Sequence, residues 1–98
     1  MVIRWLASAR SDLKSIYEYI ALDSKRYARL QVDRITSATQ ILKKEAYIGK
    51  PVKEFQNESI RELVEDNYRI IYKIVGPSEI HILLIHHGAR DLKRRITK

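Results

Sequence analysis

Arg69, Lys73, His81, His86, His87 and Arg90 put most of the side chains capable of chemistry in the last third of the chain. There Tyr68-Arg69-Ile70-Ile71-Tyr72-Lys73-Ile74 and Ile80-His81-Ile82-Leu83-Leu84-Ile85 lead into His86-His87-Gly88-Ala89-Arg90-Asp91. Guanidinium groups hold phosphate or carboxylate through paired hydrogen bonds, and imidazole carries a proton near neutrality. Cations delivered to one rim by two apolar runs therefore suit three uses: cutting a nucleic acid, gripping a protein partner, or keeping a small sheet in solution. Metal chemistry fits poorly. Adjacent strand residues such as His86 and His87 point to opposite faces, His81 lies too far along from His87, and no carboxylate motif frames them. The sequence also has no nucleophile elbow, phosphate loop or helical pair of metal-binding histidines, so neither a metal nor another cofactor is expected.

The elements that must position these residues follow from periodicity. Val2 to Leu6 alternates as a short strand at or near a sheet edge. With Ser8 as N-cap, Leu13, Ile16, Tyr17 and Ile20 form one apolar stripe and predict a helix over residues 9–22. Asp23-Ser24 offers a new cap, and Ala28, Val32, Ile35, Ala38 and Leu42 form the stripe of a second, longer helix, antiparallel to the first because the connection is so short. Periodicity fails from Lys43 to Glu58, where Gly49 and Pro51 sit among charges, which reads as a connecting loop. Ser59 to Val64, Tyr68 to Val75 and Glu79 to His87 then form a three-stranded meander, joined by Glu65-Asp66-Asn67 and Gly76-Pro77-Ser78. The order predicts an α+β domain with an antiparallel helical hairpin packed on one face of an antiparallel sheet.

Alternation divides the meander. Tyr68, Ile70, Tyr72, Ile74, Ile80, Ile82 and Leu84 share the face predicted to receive the helices. Arg69, Ile71, Lys73, His81, Leu83, Ile85 and His87 share the other face, which is too polar to bury and is predicted open. If Val75 pairs with Glu79, Arg69 lies opposite Ile85 and diagonal to His87, with Arg90 just past the strand end. Such a surface suits a phosphate-bearing ligand or a docking peptide that covers the aliphatics. The plainer alternative is a solvated strand face whose cations discourage edge pairing. Tyr17, Tyr68 and Tyr72 read as packing residues, and Lys93-Arg94-Arg95 with Lys98 as a basic tail, either solvated or tracking a phosphate backbone.

Bulk properties narrow the classes. A chain of 98 residues supports one domain with one core. Its 19 Lys and Arg against 12 Asp and Glu give a net charge of +7, which favours anionic partners or serves only as a soluble basic surface. Without cysteine there is no disulfide framework and no thiolate metal site, which suits a reducing compartment. The start lacks a secretory signal pattern, and the longest aliphatic run, Ile82 to Ile85, is far below the ~20 residues that span a bilayer. A cytoplasmic protein without a membrane partner is expected.

Several segments follow one another along the chain: Ala9 with Asp12-Leu13 and Ile16 to Ile20, Gly49-Lys50-Pro51-Val52, Ile60-Arg61-Glu62-Leu63, Asn67-Tyr68-Arg69-Ile70-Ile71-Tyr72 and His87-Gly88-Ala89-Arg90. In that order and spacing they resemble the RelE/ParE superfamily, the toxins of two-gene type II toxin-antitoxin modules, sometimes labelled plasmid stabilisation proteins. The resemblance covers nearly the whole length, implies one toxin domain over 1–98, and implies the same hairpin-on-sheet fold. RelE-like members cut mRNA on the ribosome without a metal, whereas ParE-like members inhibit DNA gyrase. The first chemistry needs cations around a pentavalent phosphate and groups that move two protons.

Arg69 and Arg90 match the two arginines of the cutting members, and His87 would substitute as the proton carrier. Where those members carry two strand lysines this chain has Ile60 and Glu62, and where they carry a C-terminal tyrosine it has Ile96. The departures favour the ParE side. The resemblance therefore implies a gyrase-inhibiting toxin neutralised by a cognate antitoxin in a hetero-oligomer, with Arg61, Arg69, Ile71, Lys73, Leu83, Ile85 and Arg90 on the target- or antitoxin-binding surface. The antitoxin should be acidic and should cover either the open sheet face or the helical hairpin with an apolar stripe. The alternatives are a ribosome-dependent endoribonuclease using Arg69, Arg90 and His87, and a non-toxic basic nucleic-acid-binding module.

Overall fold

A computed structural model describes residues 1–96, and Lys98 of the predicted basic tail lies outside them. The chain runs β1 (Val2–Trp5), α1 (Ala7–Ala21), α2 (Lys25–Ala38), a 3-10 turn (Thr39–Lys43), β2 (Lys50–Pro51), β3 (Ile60–Glu65), β4 (Tyr68–Gly76), β5 (Glu79–His87) and α3 (Leu92–Ile96). The five strands form one sheet in the order β1-β5-β4-β3-β2. β2 to β5 are antiparallel, but β1 runs parallel to β5, with Val2 opposite Glu79 and Trp5 opposite Ile82. The sheet is thus mixed. No hairpin joins β1 to β5, so turn composition could not reveal the direction of that pair.

The helical hairpin forms as its stripes demand, with altered ends. α1 begins at Ala7, with Leu6 in the N-cap position and no side-chain cap. Ser8 does not cap it, and its hydroxyl instead donates to the Leu83 carbonyl at 2.6 Å. Ser24 does cap α2, its hydroxyl accepting the Tyr27 N–H at 3.2 Å. α2 ends at Ala38 and tightens into the 3-10 turn, so the stripe that reaches Leu42 spans two elements.

The main core lies between the hairpin and the sheet. Ala9, Ile35 and Leu42 meet Ile70, Tyr72, Ile80, Ile82 and Ile85 there. Ile85 was expected on the opposite face and Leu84 on this one. The exchange comes from an irregularity in the β4–β5 ladder: Ile71 pairs with Leu84 but Tyr72 pairs with Ile82, so Leu83 is the extra residue. One inserted residue reverses the inward and outward sense of everything after it. A second irregularity near the turn pairs Gly76, not Val75, with Glu79.

The second sheet face, predicted open, is covered by the chain itself. Val52, Ile60, Ile71 and Leu92 are buried together there, with Phe55, Leu83, Leu84 and Ile96 packed around them. The covering pieces are the segment after β2, predicted as a plain connecting loop, and α3, predicted as a basic tail. Leu92 and Ile96 sit four residues apart, one helical turn, so α3 turns one apolar edge to the sheet while Lys93 and Arg94 remain exposed. Among the described residues no helix is long and apolar enough to cross a membrane.

Candidate functional site

Arg69 projects from β4 onto this second face, and two carboxylates close on it. Its Nε and Nη2 donate to the Glu62 carboxylate at 3.1 and 2.5 Å, while Nη1 and Nη2 each donate to the Glu54 carboxylate at 3.1 Å. The Asp66-Asn67 turn sets Val64 opposite Arg69, which leaves Glu62 on the diagonal within reach. Glu54 arrives from the covering segment, anchored where the Val52 N–H donates to the Ile60 carbonyl at 3.1 Å. Glu62 is only 6% exposed, a burial that a carboxylate tolerates only with such a partner. The hydrogen bonds that Arg69 donates to Glu54 and Glu62 hold it protonated well above the ordinary arginine range. Arg69 in turn draws Glu54 below the usual carboxylate range.

His86, not His87, shares this face. It stands opposite Arg69 in register and is buried, with Nε2 3.0 Å from the Arg90 carbonyl and Nδ1 3.5 Å from Arg95. Past Trp5, β5 has no strand neighbour on its β1 side, and side chains satisfy that edge instead. The Asp12 carboxylate accepts the Ile85 N–H at 2.9 Å, Arg95 donates to the Ile85 carbonyl at 3.4 Å, and Arg95 also pairs with Asp12. α1 and α3 are thereby stapled to one strand from opposite sides.

The expected convergence of Arg69, His87 and Arg90 does not occur. The extra residue at Leu83 turns His87 to the hairpin side, where its ring lies edge-on to Tyr68, with centroids 5.5 Å apart and planes at 81°. Arg90 is exposed just beyond it, its N–H donating to the His87 carbonyl at 3.0 Å. Arg61 also faces the hairpin side: its guanidinium donates to the carbonyls of Gly49 at 2.6 Å and Glu58 at 2.9 Å and lies 5.2 Å from the Tyr47 ring centre. Ile71 and Ile85 are buried, each in a different cluster, and so cannot form a free surface. Lys73 and Leu83 are half-buried on or beside the second face.

Glu54 was not singled out from sequence, while His86 was weighed there only as a metal ligand, Asp12 only as part of the family resemblance and Arg95 only as part of a basic tail. Glu62 carried the one available signal, an anion where a cation was expected.

An apolar groove of about 560 Å³ opens between α1, α2 and the end of β1. Trp5, Leu13, Tyr17 and Val32 line it, with the exposed cations Arg10 and Lys14 alongside. Arg10 is held in place by a 2.8 Å hydrogen bond to the Trp5 carbonyl.

Among solved structures, the chain is similar to a protein of the chromosomal ParDE toxin-antitoxin system from P. aeruginosa. The two share 26% identity and a TM-score of 0.73, with 89% of this chain and 95% of that one covered. It shares its fold with a YoeB/ParE toxin from Agrobacterium tumefaciens, at 17% identity and a TM-score of 0.59, covering 89% and 98% respectively. No curated protein matches it in sequence. The family model for the ParE toxin of the type II toxin-antitoxin system parDE matches residues 3–92. With that match spanning the strand, the hairpin, the meander and the start of α3, the chain belongs to the ParE toxin family.

Proposed function

We propose that this toxin acts in the cytoplasm by binding and inhibiting DNA gyrase rather than by cutting RNA, and that a cognate antitoxin neutralises it by docking in the hairpin groove. The state of Arg69 carries the choice between target classes. Stabilising a phosphorane needs donors aimed at the developing charge and free to meet it. The donors of Arg69 are committed to Glu54 and Glu62, and admitting a phosphate would expel a carboxylate and strand the buried charge of Glu62. Arg90 alone supplies one cation without a positioned base.

The antitoxin site follows by elimination between two surfaces. The second sheet face is filled by the chain's own Val52, Phe55, Leu92 and Ile96. The hairpin groove remains, and its apolar walls with Arg10 and Lys14 beside them complement an acidic segment carrying an apolar stripe. The resulting toxin-antitoxin complex is a hetero-oligomer.

Purified protein tested in parallel on gyrase supercoiling and on mRNA bound to programmed ribosomes should block supercoiling and leave the message intact. Added antitoxin should restore supercoiling. Message cleavage with supercoiling unaffected would overturn the reading.

A further inference from the structure

The end of the sheet where β4 begins and β5 finishes carries a second, separate constellation on the hairpin side. His87 and Tyr68 make the edge-on ring pair described above. The His87 Nδ1 accepts the Ala89 N–H at 3.2 Å. An imidazole whose Nδ1 is an acceptor carries its proton on Nε2 and presents that N–H as a donor. Burial pushes the Tyr68 phenol up, and Arg90, Tyr19 and Asp66 act on it electrostatically, Arg90 in the opposite sense to the other two. Arg90 is exposed and makes no ion pair among the described residues, and Tyr19 is 76% exposed at the far end of α1. Gly88 keeps the rim tight: its N–H donates to the Asn67 carbonyl at 2.6 Å, and a Cβ on it would lie 3.2 Å from that oxygen. None of these residues lines the hairpin groove.

We propose that Tyr19, Tyr68, His87 and Arg90 form the surface that grips the protein target, taking one side-chain carboxylate on Arg90 and His87 with its flanking apolar residues against the two tyrosines. The inference rests on the reading that the target is a protein. Charge selects a peptide over a nucleic acid. A phosphate backbone needs a track of cations, whereas here Asp66 adjoins Tyr68, Arg34 is already paired to Asp66 at 3.7 Å, and Asp91 follows Arg90. A single carboxylate needs only the one free guanidinium and one N–H donor. Tyr19 and Tyr68 supply amphipathic contact area of the kind that dominates protein interfaces. Target and antitoxin would then touch different faces of the hairpin, and neutralisation would act through the bulk of the antitoxin rather than by occupying the same residues.

The test uses the full chain with Tyr19→Ala, Arg90→Glu and Arg90→Lys, read by growth arrest on expression without antitoxin, by gyrase supercoiling, and by capture on immobilised antitoxin. Tyr19→Ala and Arg90→Glu should lose growth arrest and raise the half-inhibitory concentration for gyrase at least tenfold. Arg90→Lys should stay within about threefold, and all three should bind antitoxin as the unaltered protein does, which also reports intact folding. If growth arrest depends on Tyr19 and Arg90 but gyrase is never inhibited, gyrase is the wrong target and the gripping surface stands. Full growth arrest by Arg90→Glu, or equal loss of antitoxin capture, sinks the proposal. So does tight binding of a 12-nucleotide RNA that Tyr19→Ala and Arg90→Glu abolish.

Discussion

At the scale of single residues, Arg69 changes meaning once its neighbours are known. A guanidinium on a strand reads as a ligand-holding group. Here it is the counterion of a carboxylate that is 6% exposed and of a second that reaches over from another segment. Arg69→Ala should therefore cost about 3 kcal/mol of stability, read as a lower urea midpoint, and any loss of toxicity in that variant would report unfolding.

Glu54 supplies a pH test of the same cluster. Its folded carboxyl titrates below its unfolded value, so its contribution is present above the ordinary carboxylate range and is lost as pH falls through the folded value. Glu54→Gln should flatten stability against pH at the acid end, below about pH 4.5.

Tyr72 works in the opposite sense. Its hydroxyl donates to the Ala46 carbonyl at 2.7 Å and accepts the Gly49 N–H at 3.0 Å, and burial pushes its phenol up. Stability from it is present below the free phenol value of about 10 and is lost as pH rises through the higher folded value. Tyr72→Phe should cost about 1–3 kcal/mol at neutral pH, because both backbone groups lose their partner, and should remove that alkaline loss; thermal melts from pH 7 to 11 test both.

At the scale of elements, α3 is a dependent piece. Five residues cannot hold a helix in water by themselves, and this one is kept by Leu92, 1% exposed, and by the Arg95 staple to Asp12. Leu92→Ala should cost about 2–5 kcal/mol. Asp12→Ala should cost about 1–3 kcal/mol and should speed hydrogen exchange at the Ile85 amide, whose acceptor it removes. Unchanged exchange there would show that the staple is not what protects the open edge of β5. The helical hairpin makes a separate prediction: a carboxylate placed in the groove by Val32→Glu should repel an acidic antitoxin and weaken its capture at least tenfold, measured on an antitoxin-coated surface.

At the scale of the whole molecule, the net charge of +7 acts at a distance where no single contact does. Long-range attraction speeds encounter more than it strengthens the final complex. The rate of association with the antitoxin should therefore fall roughly tenfold or more between 0.05 and 0.5 M salt, where the screening length shrinks severalfold, while the dissociation rate changes little; stopped-flow mixing measures both.

The hairpin, the meander and the capping role of Ser24 were legible in the sequence because each is set by neighbours within a few residues: a 3.6-residue stripe, a two-residue alternation, a hydroxyl one turn from an N–H. The resemblance to the toxin superfamily was legible for a related reason, since it lies in the order of such local segments. The tertiary structure alone decided the rest. Leu83 as an extra residue in β5 sent Ile85 and His87 to the hairpin side, and the alternation leading to that point contains nothing that marks the slip. The parallel pairing of β1, the cover laid by α3, and the ion pairs joining Arg69 to Glu54, 15 residues apart, and Asp12 to Arg95, 83 apart, all depend on which surfaces the folded chain brings together. Local periodicity sets which way a side chain faces only while the ladder stays in register; what it then meets is set by packing.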